Sequence, residues 1–217
     1  MRQLILDLQP QPPPGFDNFV PGENRSVLDG LFNWLTPQNE DLLFFLCGDE
    51  GSGKTHLLKA SHFAYCDAVV DPGLYSIDES LQQYAVDHVD KLDEHGQVTL
   101  FNMFNRFRHA KGKLLVAARQ APTKMGMRED LRTRFASGLT YRLLPLTDIE
   151  KKTVLLADAS ARKLPLSDEM VDYLLSRAPR DMRSLAALLE AIDRYSLEHK
   201  RVITQPLLRE ILHDFPF

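Results

Sequence analysis

Eight consecutive residues carry the most specific chemistry in the chain. Gly48-Asp49-Glu50-Gly51-Ser52-Gly53-Lys54-Thr55 satisfies G-x-x-x-x-G-K-[ST] in full. Glycines at 48, 51 and 53 permit backbone angles that a Cβ forbids, so successive N–H groups can converge on an anion. Lys54 is spaced to bridge the β- and γ-phosphates and the Thr55 hydroxyl to ligate Mg²⁺. A helix beginning at Lys54 would aim its free amides and dipole at the same phosphates.

Such a loop needs an acid at the end of a neighbouring strand to hold the magnesium through water. Asp87, closing the short run Tyr84-Ala85-Val86-Asp87, is the first candidate for that metal role, and Asp78, after Leu74 to Ile77, competes with it. Asp87 opens Asp87-His88-Val89-Asp90, the kind of acidic cluster found in many ATPases. His88 occupies the slot where vigorous ATPases place a water-polarising carboxylate. Water activation would then fall to Asp90 or to a weak imidazole base, and slow intrinsic hydrolysis is expected. A solvent-exposed structural histidine is the plainer account of the same residue.

The elements that must position these groups can be read from periodicity. Leu42 to Cys47 is a continuous apolar run ending at glycine, suited to a strand buried on both faces. Lys54 to Ala64 has helical periodicity, as do Ser26 to Leu35 and Val98 to Arg108. Further strands are expected at Leu74 to Ile77, Tyr84 to Asp87, Lys113 to Ala118 and Leu139 to Leu143. Alternating strands and helices imply right-handed crossovers and a parallel sheet. After Pro145 the pattern changes: Thr147 to Glu150 is a capping box, and helices are expected near Asp148–Arg162, Ser167–Ser176, Asp181–His199 and Thr204–His213. The expected layout is a tail over 1–15, an α/β nucleotide-binding base over 16–145 and a small helical lid over 146–217. Prolines 10, 12, 13 and 14 favour extended conformation in the tail.

Composition narrows the class. Apolar residues at 44% and charged residues at 26% of 217 are ordinary for a globular protein. No apolar run approaches the ~20 residues of a membrane-spanning helix, and Asp7 with the prolines interrupts any signal-peptide core. The expected location is therefore the cytoplasm. The two cysteines, Cys47 and Cys66, follow no metal-binding spacing. A net charge of −4 gives the whole molecule no electrostatic footprint for nucleic acid. Basic segments at Arg106 to Lys113 and Arg119 to Arg134 suit solvated faces, so DNA is expected to be met mainly through partners.

These residues together resemble the AAA+ class of P-loop proteins, in particular the nucleotide-binding domain of the DnaA replication initiators. Phe16-Asp17-Asn18-Phe19 with Gly22 is similar to the family segment that packs near the adenine, which implies Phe19 as a base contact. Gly51-Ser52-Gly53-Lys54-Thr55-His56-Leu57-Leu58 resembles the family's phosphate loop and adds His56 to the cofactor-binding set of Gly48, Glu50, Gly51, Ser52, Gly53, Lys54 and Thr55. Leu131-Arg132-Thr133-Arg134-Phe135-Ala136-Ser137-Gly138 resembles the initiator segment that carries an arginine finger, implying Arg134 in catalysis on an adjacent subunit's nucleotide. Spacing alone does not choose among Arg128, Arg132 and Arg134. Arg180-Asp181-Met182-Arg183 resembles the lid motif that senses bound phosphates, implying Arg183.

Two features resemble the Hda family of short initiator paralogues, the DnaA regulatory inactivators. The chain stops soon after the lid, without room for a helix-turn-helix domain, and it begins Gln3-Leu4-Ile5-Leu6-Asp7-Leu8, similar to peptides that dock on the replicative sliding clamp. In such a peptide Gln3 would hydrogen-bond at a pocket rim while Leu4, Leu6 and Leu8 fill an apolar groove. The resemblance implies a regulator of chromosomal replication initiation, tethered to the clamp, nucleoid-associated through it, and partnered with a DnaA-type initiator whose bound ATP it causes to be hydrolysed. Arg119 departs from the pattern, standing where a small polar residue would sense the γ-phosphate, which makes ADP an attractive resident beside ATP. An autonomous AAA+ ATPase, such as a helicase loader or remodelling subunit, is the alternative expectation, and a direct DNA-binding module is the third. Self-association is common in the class, although no interface is legible here.

Overall fold

β1 (Leu43–Gly48) is buried at every position and forms the second-from-edge strand of a sheet whose other members are all parallel to it. The computed structural model describes residues 13–179, 181–199 and 201–214. β2 (Ala64–Asp67), β3 (Gln83–Asp87), β4 (Lys113–Ala118) and β5 (Leu139–Leu143) complete the sheet, in the spatial order β2-β3-β4-β1-β5. Side chains alternate between the two faces of a strand. Leu43, Phe45 and Cys47 therefore join one core with residues of α3 (Glu94–Ala110) and α4 (Glu129–Ala136), such as Leu100, Phe107 and Phe135. Phe44 and Leu46 point the other way, onto Leu31 and Trp34 of α1 (Arg25–Leu35) and Leu57 and Leu58 of α2 (Lys54–Ala60). A doubly covered parallel sheet of this kind demands the unbroken apolar run that β1 carries.

The chain divides into two compact units, Pro13–Pro145 and Leu146–Phe217. The second unit carries four helices and no strand among its described residues: α5 (Asp148–Ala161), α6 (Asp168–Arg177), α7 (Met182–His199) and α8 (Gln205–Asp214). Leu155, Val171, Leu188, Ile192 and Leu208 share a core of their own. The Thr147–Glu150 capping box forms as expected: the Glu150 amide donates to Thr147 Oγ1 and the Thr147 amide to the Glu150 carboxylate. Among the described residues no helix is long and apolar enough to cross a membrane.

Three expectations about elements need correction. Leu74 to Ile77 is not a strand but a turn, because Asp71 accepts hydrogen bonds from the Tyr75 and Ser76 amides and the Ser76 hydroxyl, and Leu74 takes a positive φ of 53°. The strand lies earlier, at Ala64–Asp67, starting on the last residue of the helix expected over Lys54 to Ala64. That helix stops at Ala60, where the Ser61 hydroxyl donates to the Leu58 carbonyl and accepts from the Phe63 amide, and His62 turns left-handed. Helix α4 is absent from the sequence-based layout.

A long-range clasp sets the position of the segment leading into α1. Asn24, only 3% exposed, donates from Nδ2 to the Leu144 carbonyl at 2.9 Å and accepts the Leu144 amide on Oδ1 at 2.8 Å. Asn24→Ala strands both Leu144 backbone groups, and it is expected to destabilise the protein by about 2–4 kcal/mol. A lower urea midpoint with unchanged slope is the measurement that checks it.

Candidate functional site

The phosphate loop folds as a cradle because two of its glycines are irreplaceable by geometry. Gly48 has a φ of 155°, and a Cβ there would drive into the Leu143 carbonyl oxygen of β5. Gly53 has a φ of 98°, and its Cβ would lie 2.6 Å from the Phe19 ring. Phe19 thus covers the loop where α2 begins, and its ring also packs on His56 with centroids 5.4 Å apart. His56 Nε2 in turn meets the Gly15 carbonyl at 2.8 Å, which ties the lead-in segment to α2. Glu50 and Gly51 sit at the exposed crest of the loop, while Ser52 is buried beneath it.

Lys54 is curled into this cradle. Its ammonium donates to the Gly48 and Asp49 carbonyls, each at 2.8 Å, and is only 8% exposed. Burial lowers its pKa below the ordinary 10.5, and the carboxylates of Asp87, Asp49 and Asp90 act in the opposite sense from a distance. A buried cation met by two neutral carbonyls and, at 3.5 Å, the Ser52 hydroxyl, inside a loop shaped by missing Cβ atoms, fits an anionic phosphate.

Thr55 and Asp87 are brought together. Thr55 Oγ1 donates to Asp87 Oδ2 at 2.6 Å, and Asp87 is fully buried. With its proton committed to the carboxylate, the threonine hydroxyl keeps a lone pair for a metal ion. Mg²⁺, when bound there, supplies neutralisation of phosphate charge. Asp78 stands elsewhere: it caps an exposed turn through Ser80 and Tyr84, beside the opposite end of β3. Two groups that sequence reasoning missed complete the surroundings of Asp87. The Tyr65 hydroxyl donates to Asp87 Oδ2 at 3.2 Å, and Asp67 Oδ1 lies 2.9 Å from His88 Nδ1. Both come from β2, whose register sets Asp67 directly beside Asp87; only correct placement of β2 could have revealed them.

His88 has a left-handed backbone, φ 52°, and its ring is drawn toward β2. Asp90 is exposed on the short 3₁₀ turn Val89–Lys91. Arg119 is exposed beyond β4 and, with Asp90, Gln97, Met125 and Met127, lines a cavity of about 220 Å³.

The three crowded arginines differ sharply. Arg128 makes a two-pronged pair with Asp130 (3.2 and 2.8 Å), and Arg132 lies 3.8 Å from Glu129. Arg134, on the last turn of α4, instead spreads its guanidinium over the rings of Phe101 (4.2 Å) and Phe104 (5.3 Å) of α3. Its Nε is buried without a hydrogen-bond partner among the described residues. Arg183 falls in the first turn of α7, whose start is capped by Asp181 accepting the Ser184 amide at 2.9 Å. The Arg183 side chain lies outside what is described, as do Gln3, Leu4, Leu6 and Leu8.

The Lys54 environment yields a signed pH effect. A bound phosphate raises the Lys54 pKa, so binding takes up protons wherever free Lys54 has begun to lose its own. Nucleotide affinity is expected to hold while free Lys54 stays protonated. It then falls by up to about tenfold per pH unit as pH rises through the lowered free-protein value. Calorimetry in buffers of differing ionisation heat checks the uptake, and Lys54→Met should abolish both the dependence and most of the affinity.

A family model described as Hda, lid domain, matches residues 148–212. An uncharacterized protein of Haemophilus influenzae is 33% identical over 233 aligned positions, covering 98% of this chain and 99% of that one. Domain III of the Thermotoga maritima replication initiation protein DnaA superposes with a TM-score of 0.73 at 19% identity, covering 95% of this chain and 99% of that one. AMPPCP-bound DnaA from Aquifex aeolicus superposes at 0.65 with 23% identity, over 89% of this chain and 71% of that one. The chain therefore carries the lid of the Hda family, over residues 148–212, on a DnaA-like AAA+ fold.

Proposed function

We propose that this protein regulates chromosomal replication initiation as a nucleotide-bound partner of a DnaA-type initiator, supplying Arg134 in trans to the initiator's ATP. The observation that carries this is the state of Arg134. Arg128 and Arg132 are engaged with Asp130 and Glu129, whereas Arg134 has no carboxylate in ion-pair reach among the described residues. A guanidinium stacked on rings keeps its charge and most of its donors for a partner. Lys54, Thr55 and the glycine cradle hold ADP or ATP with Mg²⁺, in keeping with the AMPPCP named for the Aquifex aeolicus relative. Gln3, Leu4, Leu6 and Leu8 dock the protein on the sliding clamp, which places it at the nucleoid in the cytoplasm and brings it to DNA indirectly.

The groups expected to drive self-hydrolysis support a passive nucleotide. His88 is bound back to Asp67, and Arg119 is exposed beyond β4 rather than offering a small polar group. The intact Thr55–Asp87 contact favours a second reading, an AAA+ protein that turns over its own ATP.

Arg134→Ala is expected to cut stimulated hydrolysis of initiator-bound ATP by about 10³-fold or more, with nucleotide affinity and thermal stability of this protein retained. Turnover of ATP by the isolated protein at tens per minute, indifferent to initiator and clamp, would instead establish the second reading. Deleting residues 1–8 is expected to abolish clamp pull-down while leaving ADP affinity unchanged.

A further inference from the structure

Asp87 has no exposed surface, so every lone pair of its carboxylate must be accounted for within the fold. A carboxylate offers about four acceptor sites. Thr55 Oγ1 fills one on Oδ2 at 2.6 Å, and the Tyr65 hydroxyl fills another on the same oxygen at 3.2 Å. The His88 amide donates to Oδ1 at 2.9 Å. Oδ2 thus takes two donors and Oδ1 one, with the His88 ring nitrogen Nδ1 3.7 Å from Oδ1, beyond hydrogen-bond reach.

We propose that Tyr65 is a positioning residue for the metal site: its hydroxyl caps Oδ2 of Asp87 and turns the carboxylate so that Oδ1 faces the water carried by a bound Mg²⁺. This rests on the assignment of Thr55 and Asp87 to a magnesium–nucleotide site. The backbone explains the reach. Tyr65 pairs in register with Ala85, and Ala85 and Asp87 share one face of β3, the face that α2 covers. The phenol therefore needs to extend only one pleat along the sheet to meet the same carboxylate oxygen that Thr55 meets. Its ring is pinned in turn by Lys59 of α2, whose ammonium lies 4.8 Å from the centroid. Outer partners of this kind orient carboxylates at metal sites and govern affinity for the ion.

The test is the gain in ADP affinity on adding Mg²⁺, measured by titration calorimetry with and without EDTA. In Tyr65→Phe, which keeps the ring and removes only the donor, ADP affinity in EDTA should match the parent. The gain due to Mg²⁺ should shrink by about tenfold. Tyr84→Phe is the matched control: Tyr84 lies on β3 and bonds the Asp78 backbone, so its removal should leave the gain intact. A parental gain in Tyr65→Phe overturns the proposal, as does an equal loss of affinity in EDTA, which would mark Tyr65 as support for the loop in general. Asp87→Asn separates the two levels. If it abolishes the gain while Tyr65→Phe does not, only the role of Tyr65 fails; if Asp87→Asn keeps the gain, the metal site fails and this inference with it.

Discussion

A carboxylate buried without solvent must be surrounded by donors, and that demand at Asp87 organises the nucleotide-binding unit. Its donors come from three places: Thr55 on α2, Tyr65 on β2 and the His88 amide just past β3. Meeting it fixes the start of α2 relative to β3, and therefore the direction in which the Gly48–Gly53 amides face. It also fixes the edge strand, since β2 must lie in the register that places Tyr65 and Asp67 beside Asp87. The hydrophobic cores on the two sheet faces hold these elements at the right separation, but they do not choose the register. A polar contact with one acceptable geometry does so more stringently than apolar packing.

The cradle and the acid meet their partners differently. Asp87 takes hydroxyl and amide donors from three places, whereas Lys54 gives its protons to carbonyls of its own loop. Burial lowers the pKa of the lysine, so an anion held in the loop would favour its charged form.

Much of this was legible from sequence because it depends on local pattern. The glycine–lysine–threonine spacing, the apolar run of β1, the strands β4 and β5 and the α5 capping box all rest on neighbours within a few residues. What was not legible depends on partners far along the chain. β2 was hidden because Ala64 to Asp67 continues an apolar pattern that a helix could also use, until Ser61 and His62 break it. Leu74 to Ile77 has strand-forming residues, yet Asp71 captures their amides in a turn. α4 went unseen because its eight residues bury only Leu131 and Phe135, too few to show a period. Tyr65 and Asp67 followed β2 into obscurity. That Arg128 and Arg132 have carboxylates beside them while Arg134 has rings is likewise a matter of tertiary neighbours.

The Asp67–His88 contact narrows what position 88 can carry. A glutamate there would supply a water-polarising acid, but it would stand in a left-handed backbone position already flanked by two carboxylates, Asp67 and Asp87. Like charges that close disfavour ionisation of at least one of them. The aspartate on β2 thus suits an imidazole at this corner of the sheet better than a third acid.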